Sequence, residues 1–192
     1  DLVKTEQKYS VAMEVALGGA LQNIVVDREE DGKAAINFLK QRDAGRATFL
    51  PLTAIRGEEL RQNGVESEFG FVGIASRLVE YDPRYENIFL SLLGRTVIVE
   101  DMDCGIAMAR KYRSAFRIVT LDGQVINAGG AFTGGSAKRD SGLLSRTSEI
   151  AELREAVELQ QYYVSRRHDC HKGKDRKNAR ENFRHAVSQL PL

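Results

Sequence analysis

Two glycine pairs, Gly129-Gly130 and Gly134-Gly135, flank Ala131-Phe132-Thr133 in the stretch LDGQVINAGGAFTGGSAKRDSGLLS, residues 121–145. Glycine loses more conformational freedom on folding than any other residue. Two pairs this close therefore imply special dihedrals or a backbone packed against something. Three explanations fit: a phosphate held by main-chain N–H groups, a second polypeptide backbone at a subunit contact, or a mobile loop. A P-loop requires lysine directly after its last glycine, but Gly135 is followed by Ser136, Ala137 and only then Lys138. The G-x-G-x-x-G spacing of a dinucleotide site is also missing. The spacing disfavours phosphate and leaves the other two readings open.

The remaining reactive side chains are sparse. His168, Cys170 and His171 cluster, yet H-x-C-H is not a structural zinc spacing and no second ligand pair accompanies it. All three histidines lie at 168 or beyond, so a Ser-His-Asp or Cys-His group would have to be built from the tail. Cys104 falls inside an amphipathic helical pattern and reads as core packing. No catalytic residue, metal or cofactor is expected. Arg166, Arg167, Lys172 and Lys174 open a basic run, residues 166–184, with eight Lys/Arg against three acids. Such a run is either a solvated helix face or a phosphate-contacting surface, and Tyr162 and Tyr163 just before it can stack on bases or close a helical seam.

The chain around these residues has 192 residues, 42% hydrophobic and 29% charged, with a net charge of +1. That is enough chain for one or two packed domains. No apolar run reaches the length of a membrane span and no signal peptide opens the sequence. The first residue is Asp1, not methionine, which predicts a piece cut from a longer protein. Cys104 and Cys170 lack a disulfide framework, as expected of a reducing cytosolic setting.

Residues 1–9 read as the helical end of an incoming segment. Ser10 is placed as N-cap of a helix ending near Gly18-Gly19. NIVV (23–26) reads as a short buried strand. Asp31 is placed as cap of a helix through Gln41, with Ala35, Ile36 and Leu39 on its apolar face and Gly45 as terminator. ATFLPL follows as a strand stopped by Pro51. Residues 53–73 read as loop with a helical turn at 57–62, and IASRLVEY as extended or a short helix. Asp82-Pro83 starts a helix through Leu93, closed by Gly94. TVIVE (96–100) is a buried strand, Asp101 or Asp103 caps a helix to about Tyr112, and FRIVTL is a strand leading into the hairpin dipeptide Asp122-Gly123. ALGGALQNIVVD–helix–GRATFLPL and LLGRTVIVED–helix–FRIVTLDG follow one pattern, which predicts a duplicated α/β unit in half-domains of about 10–80 and 81–135. Beyond Leu144, Ile150, Leu153, Val157, Gln160 and Val164 form a coiled-coil seam that weakens after about two heptads.

KYSVAMEVALGGALQNIVVD, GRATFLPL, GFVGIASRLVEYD, LLGRTVIVED and RIVTLDGQVINAGGAFTGG together resemble the hinge domain of structural maintenance of chromosomes (SMC) proteins, in the bacterial condensin-type form. The resemblance runs from about residue 8 to 140 in the right order. It implies an α+β hinge of two half-domains with mixed sheets, flanked by coiled-coil arms. Residues 1–9 would be the incoming arm stub, 10–140 the hinge and 141–192 the outgoing arm and basic tail. It further implies a homodimer whose subunit contact includes Gly129, Gly130, Phe132, Gly134 and Gly135. It also implies DNA as a partner near the hinge–arm junction, where Lys138 and Arg139 fall, with Arg166, Arg167, Lys172 and Lys174 added by the charge run. ATPase heads would lie elsewhere in the longer protein, and the setting would be cytoplasmic, at the nucleoid. The rival readings are a small nucleotide-binding enzyme using the Gly129–Gly135 loop and a primary DNA-binding module.

Overall fold

The computed structural model describes residues 2–135 together with Ile150, Arg154 and Val157. Helix α1 (Ser10–Leu17) buries Ala12, Met13, Ala16 and Leu17 and stops at Gly18, whose φ of +49° is one glycine adopts readily. A 3-10 turn leads to β2 (Ile24–Val26), α2 (Glu29–Gln41) and β3 (Phe49–Pro51). After a long irregular segment come β4 (Phe71–Ile74), β5 (Val79–Glu80), α3 (Glu86–Leu93) and β6 (Thr96–Val99). The series closes with α4 (Met102–Lys111), β7 (Arg117–Thr120), β8 (Val125–Ile126) and β9 (Phe132–Thr133). Ahead of all these, β1 (Lys4–Thr5) pairs antiparallel with β5.

Two parallel βαβ units recur. In one, α2 connects β2 to β3. In the other, α4 connects β6 to β7. The second is the centre of a five-stranded mixed sheet ordered β4-β6-β7-β8-β9. Alternation along its strands divides the side chains between two cores. Ile98, Val119 and Val125 face α1 and α3, whereas Val97, Val99, Ile118 and Ile126 face α4 and Phe116. Helices on both faces explain why these strands read as unbroken apolar runs. Asp101 caps α4 by accepting the Cys104 N–H at 2.8 Å, and Asp82 accepts the Arg84 N–H at 2.9 Å ahead of α3.

Several expectations are corrected. Residues 2–9 are not a helical arm end: Lys4 and Thr5 are extended, the Thr5 hydroxyl donates to the Leu78 carbonyl at 2.7 Å, and only a 3-10 turn follows. Ser10 is the first residue of α1, not its cap, and its hydroxyl donates to the Gln7 carbonyl. Asp31 sits in the first turn of α2, accepting the Arg28 N–H at 3.1 Å. β2 is not buried, because β3 is its sole strand neighbour among the described residues; Ile24 is 46% exposed. On α2 the buried contact is Gly32 against Val26 and Phe49, so Ile36 points outward.

There is no helical turn at 57–62. That segment lies along α3, with the Leu60 N–H donating to the Gly94 carbonyl at 2.8 Å, and the turn falls at Val65–Ser67 instead. β4 also begins inside the span read as loop. IASRLVEY combines a strand end, a 3-10 turn and β5. Of the coiled-coil seam, Ile150 and Val157 are described. Both are helical and half-exposed. The remaining seam positions, together with His168, Cys170 and His171, lie outside the described residues.

Candidate functional site

The glycine-rich stretch folds as two successive hairpins at one end of the five-stranded sheet. Gly123, at φ +86°, turns β7 into β8, with the Gly123 N–H on the Thr120 carbonyl at 2.9 Å. This is the hairpin that Asp122-Gly123 predicts. A side chain at Gly123 would also press on Val11 and Val15 of α1, both 3.1 Å from its Cβ position. The second hairpin joins β8 to β9. Gly129 and Gly130 occupy its turn at φ +89° and +95°, and the Gly130 N–H donates to the Asn127 carbonyl. The Gly129 N–H donates to the Ser114 carbonyl at 2.9 Å. Ser114 and Arg113 both hold positive φ at the end of α4, a strained pair that aims this carbonyl at the turn.

β9 runs antiparallel to β8 with Val125 opposite Thr133 and Ile126 opposite Phe132. The same register sets Gln124 opposite Gly134 and Asn127 opposite Ala131. The Asn127 N–H meets the Ala131 carbonyl at 2.8 Å, so inward-facing backbone groups fall on Ala131, Thr133 and Gly135. At Gly135 the ladder ends on a side chain. The Gln124 carboxamide oxygen accepts the Gly135 N–H at 2.9 Å, and its nitrogen donates to the Gly135 carbonyl at 3.2 Å. Phe132 and Gly134 therefore turn their N–H and C=O groups away from the sheet. Among the described residues β9 is its last strand, and Phe132 is 57% exposed.

These bonds decide one of the open alternatives. The N–H groups of Gly129, Gly130 and Gly135 are each spent on a protein acceptor, so they form no phosphate cradle. What the arrangement offers among the described residues is an open strand edge, a geometry able to accept a further strand. Other chemistry is poorly supplied. Cys104 is buried, and the neighbouring Asp101 carboxylate, reinforced by burial, pushes its thiol pKa up, against thiolate formation. Among the described residues no group of three or more His, Cys, Asp or Glu could hold a metal. No helix among them is long and apolar enough to cross a membrane.

The five predicted contact residues, Gly129, Gly130, Phe132, Gly134 and Gly135, thus come together in one hairpin. Lys138, Arg139, Arg166, Arg167, Lys172 and Lys174 lie outside the described residues. Gln124, Asn127 and Ser114 were not anticipated. Gln124 was within reach of sequence reasoning, since the turn at Asp122-Gly123 and the turn at Gly129-Gly130 together fix its opposition to Gly134.

Two like βαβ units, with a glycine-flanked sheet edge that no described residue covers, make an α+β fold. The family model described as the SMC proteins flexible hinge domain matches residues 1–109, and the chain belongs to that family. As a hinge it is not an enzyme. The chain is 42% identical over 157 residues to the chromosome partition protein Smc of Bacillus subtilis, covering 80% of this chain and 13% of that protein. It is 43% identical over 163 residues to the protein of the same name from Methanocaldococcus jannaschii, covering 82% of this chain and 14% of the relative. The chain thus spans about an eighth of the length of these curated relatives. A crystal structure of an asymmetric dimer of the Geobacillus stearothermophilus SMC hinge domain superposes with a TM-score of 0.77 at 36% identity, covering 98% of this chain and 73% of that one. The Pyrococcus furiosus SMC hinge gives a TM-score of 0.61 at 36% identity, covering 71% of each chain.

Proposed function

We propose that this chain is the homodimerisation hinge of a chromosome partition protein, joining two subunits of a longer SMC ATPase whose heads lie at the far ends of coiled-coil arms. In this reading residues 10–140 are the hinge, in half-domains of about 10–80 and 81–135, and 141–192 enter the outgoing arm. The carrying observation is the edge of β9, where the inward groups are satisfied and those of Phe132 and Gly134 face away from the sheet with no partner among the described residues. Gly129, Gly130, Phe132, Gly134 and Gly135 form the subunit contact. The dimer in the Geobacillus relative supports the same reading. The protein works in the cytoplasm, at the nucleoid.

Replacing Gly134 and Gly135 together with valine adds side-chain volume at the edge and forbids the φ of +142° at Gly135. The α-helical circular dichroism should persist while light scattering falls from dimer to monomer mass. A folded dimer would remove the glycines from the interface, and an unfolded chain would assign them to the core.

DNA is the second partner, held weakly and without sequence preference by Lys138, Arg139 and the basic residues Arg166, Arg167, Lys172 and Lys174. Neutralising Lys138 and Arg139 together should reduce the salt slope of binding by up to about 2. An unchanged slope would exclude them.

A further inference from the structure

We infer that Gln124 is a positioning residue for the subunit contact: its carboxamide stands in for a missing strand residue and holds the end of β9 extended, so that Phe132 and Gly134 present their outward backbone groups in line. The inference rests on the reading of β9 as the contact edge.

The hydrogen bonds form a relay from the core to the edge. Thr120 is fully buried in β7, and its hydroxyl donates to Asp122 Oδ1 while accepting the Gln124 N–H at 2.8 Å. Asp122 Oδ2 in turn takes the Gln124 Nε2 at 3.4 Å, and the same carboxamide closes both bonds to Gly135. A backbone pair in an antiparallel ladder exchanges one N–H and one C=O with its opposite residue. The Gln124 side chain does the same for Gly135 where the ladder of β8 has ended. Without it, neither inward group of Gly135 would have a partner among the described residues, and no ladder bond would hold Gly134 in the strand plane. Gly134 is glycine for the same reason: a Cβ there would meet the Gln124 carboxamide oxygen.

Gln124→Met keeps the length and bulk of the side chain and removes both bonds, which separates hydrogen bonding from packing. In the full 192-residue chain, the Gly135 amide should exchange about tenfold faster and self-association should weaken about tenfold, each the loss expected for about one net hydrogen bond. The Val119 amide, in the sheet centre, should keep its protection. Gln124→Glu keeps the acceptor and loses the donor, so it should fall between, and it is read in place of Gln124→Met if that variant loses its helical signal. Wild-type self-association in Gln124→Met, while the Gly134–Gly135 double valine variant is monomeric, would overturn the role of Gln124 and leave the contact edge standing. Wild-type self-association in both would overturn the edge itself.

Discussion

The βαβ unit of β2, α2 and β3 and the unit of β6, α4 and β7 share connectivity, parallel pairing and sequence pattern, yet their surroundings differ. Val97, Ile98, Val99 and Val119 are completely buried, since β4 and β8 flank the pair and helices cover both faces. Ile24 is 46% exposed and Ile36 and Phe38 about half exposed, since β2 and β3 have no further strands among the described residues and α2 covers one face. The same local pattern makes a core strand in one place and a surface strand in the other. Burial here is a property of neighbours, and a pattern repeated in sequence does not carry its neighbours with it.

The sharpest way to break this contrast is to truncate matching strand residues. Ile98→Ala should cost about 2–5 kcal/mol of unfolding free energy, as expected of a fully buried isoleucine that leaves a cavity. Ile24→Ala should cost less than about 1 kcal/mol in the monomer. Denaturant melts at concentrations where light scattering gives the monomer mass measure both, and equal losses would show that the two units share one degree of burial.

A smaller effect should come from the segment that runs from the first unit to the second. A Cβ on Gly57 would meet the α3 backbone, 2.5 Å from the Leu90 carbonyl carbon and 2.6 Å from the Asn87 oxygen. Backbone cannot yield as a side chain can, so Gly57→Ala should lift the segment off α3 at a cost of about 1–3 kcal/mol. Faster amide exchange at Leu60, with β6 and β7 still protected, would be the signature. Unchanged exchange at Leu60 would mean that the segment already stands clear of α3.

The smallest effect is electrostatic. Arg77 grips Glu59 with two nitrogens, at 2.7 and 2.8 Å, and Glu66 with a third at 2.9 Å. The Arg77 hydrogen bonds hold the Glu59 carboxyl below the usual carboxylate range. A depressed folded-state pKa gives stability that is complete above the unfolded value of about 4.3 and is lost as pH falls through the folded one. Both groups are partly exposed, so the gain is at most about 1 kcal/mol. Arg77→Met should therefore trail the wild type near neutral pH and converge with it in acid. A constant gap across that range would assign the loss to packing.

What could be read from the sequence was what short segments settle for themselves. Asp101, Asp82-Pro83 and Asp122-Gly123 mark ends and turns through bonds to residues two to four positions away, and the structure keeps all three. TVIVE reads as a buried strand, and Thr96–Val99 is buried throughout, with Glu100 exposed just past its end. Ser10 and Asp31 were misplaced by a turn or less, at bonds three residues long, but the larger errors fell where a distant partner decides. β1 is a strand because residues 79–80 lie beside it, and 57–62 is irregular because α3 takes its N–H and its space. The glycine pairs sat between these cases. Gly129-Gly130 is explained by its own turn, but Gly135 acquires its partner only through a register spanning two hairpins.

Arg117 carries a consequence for the order in which the molecule comes into being. From β7 its guanidinium donates to the Ala16 carbonyl at 2.7 Å and the Val15 carbonyl at 3.1 Å, closing the end of α1 across about a hundred residues. Ala12 and Met13 likewise share their core with Val119 and Val125. On a ribosome, α1 leaves ahead of β7 and β8, and its place in the core does not exist until they have followed. The opening helix waits for the closing strands, so the domain cannot be assembled from its beginning in stages. It must be finished nearly all at once.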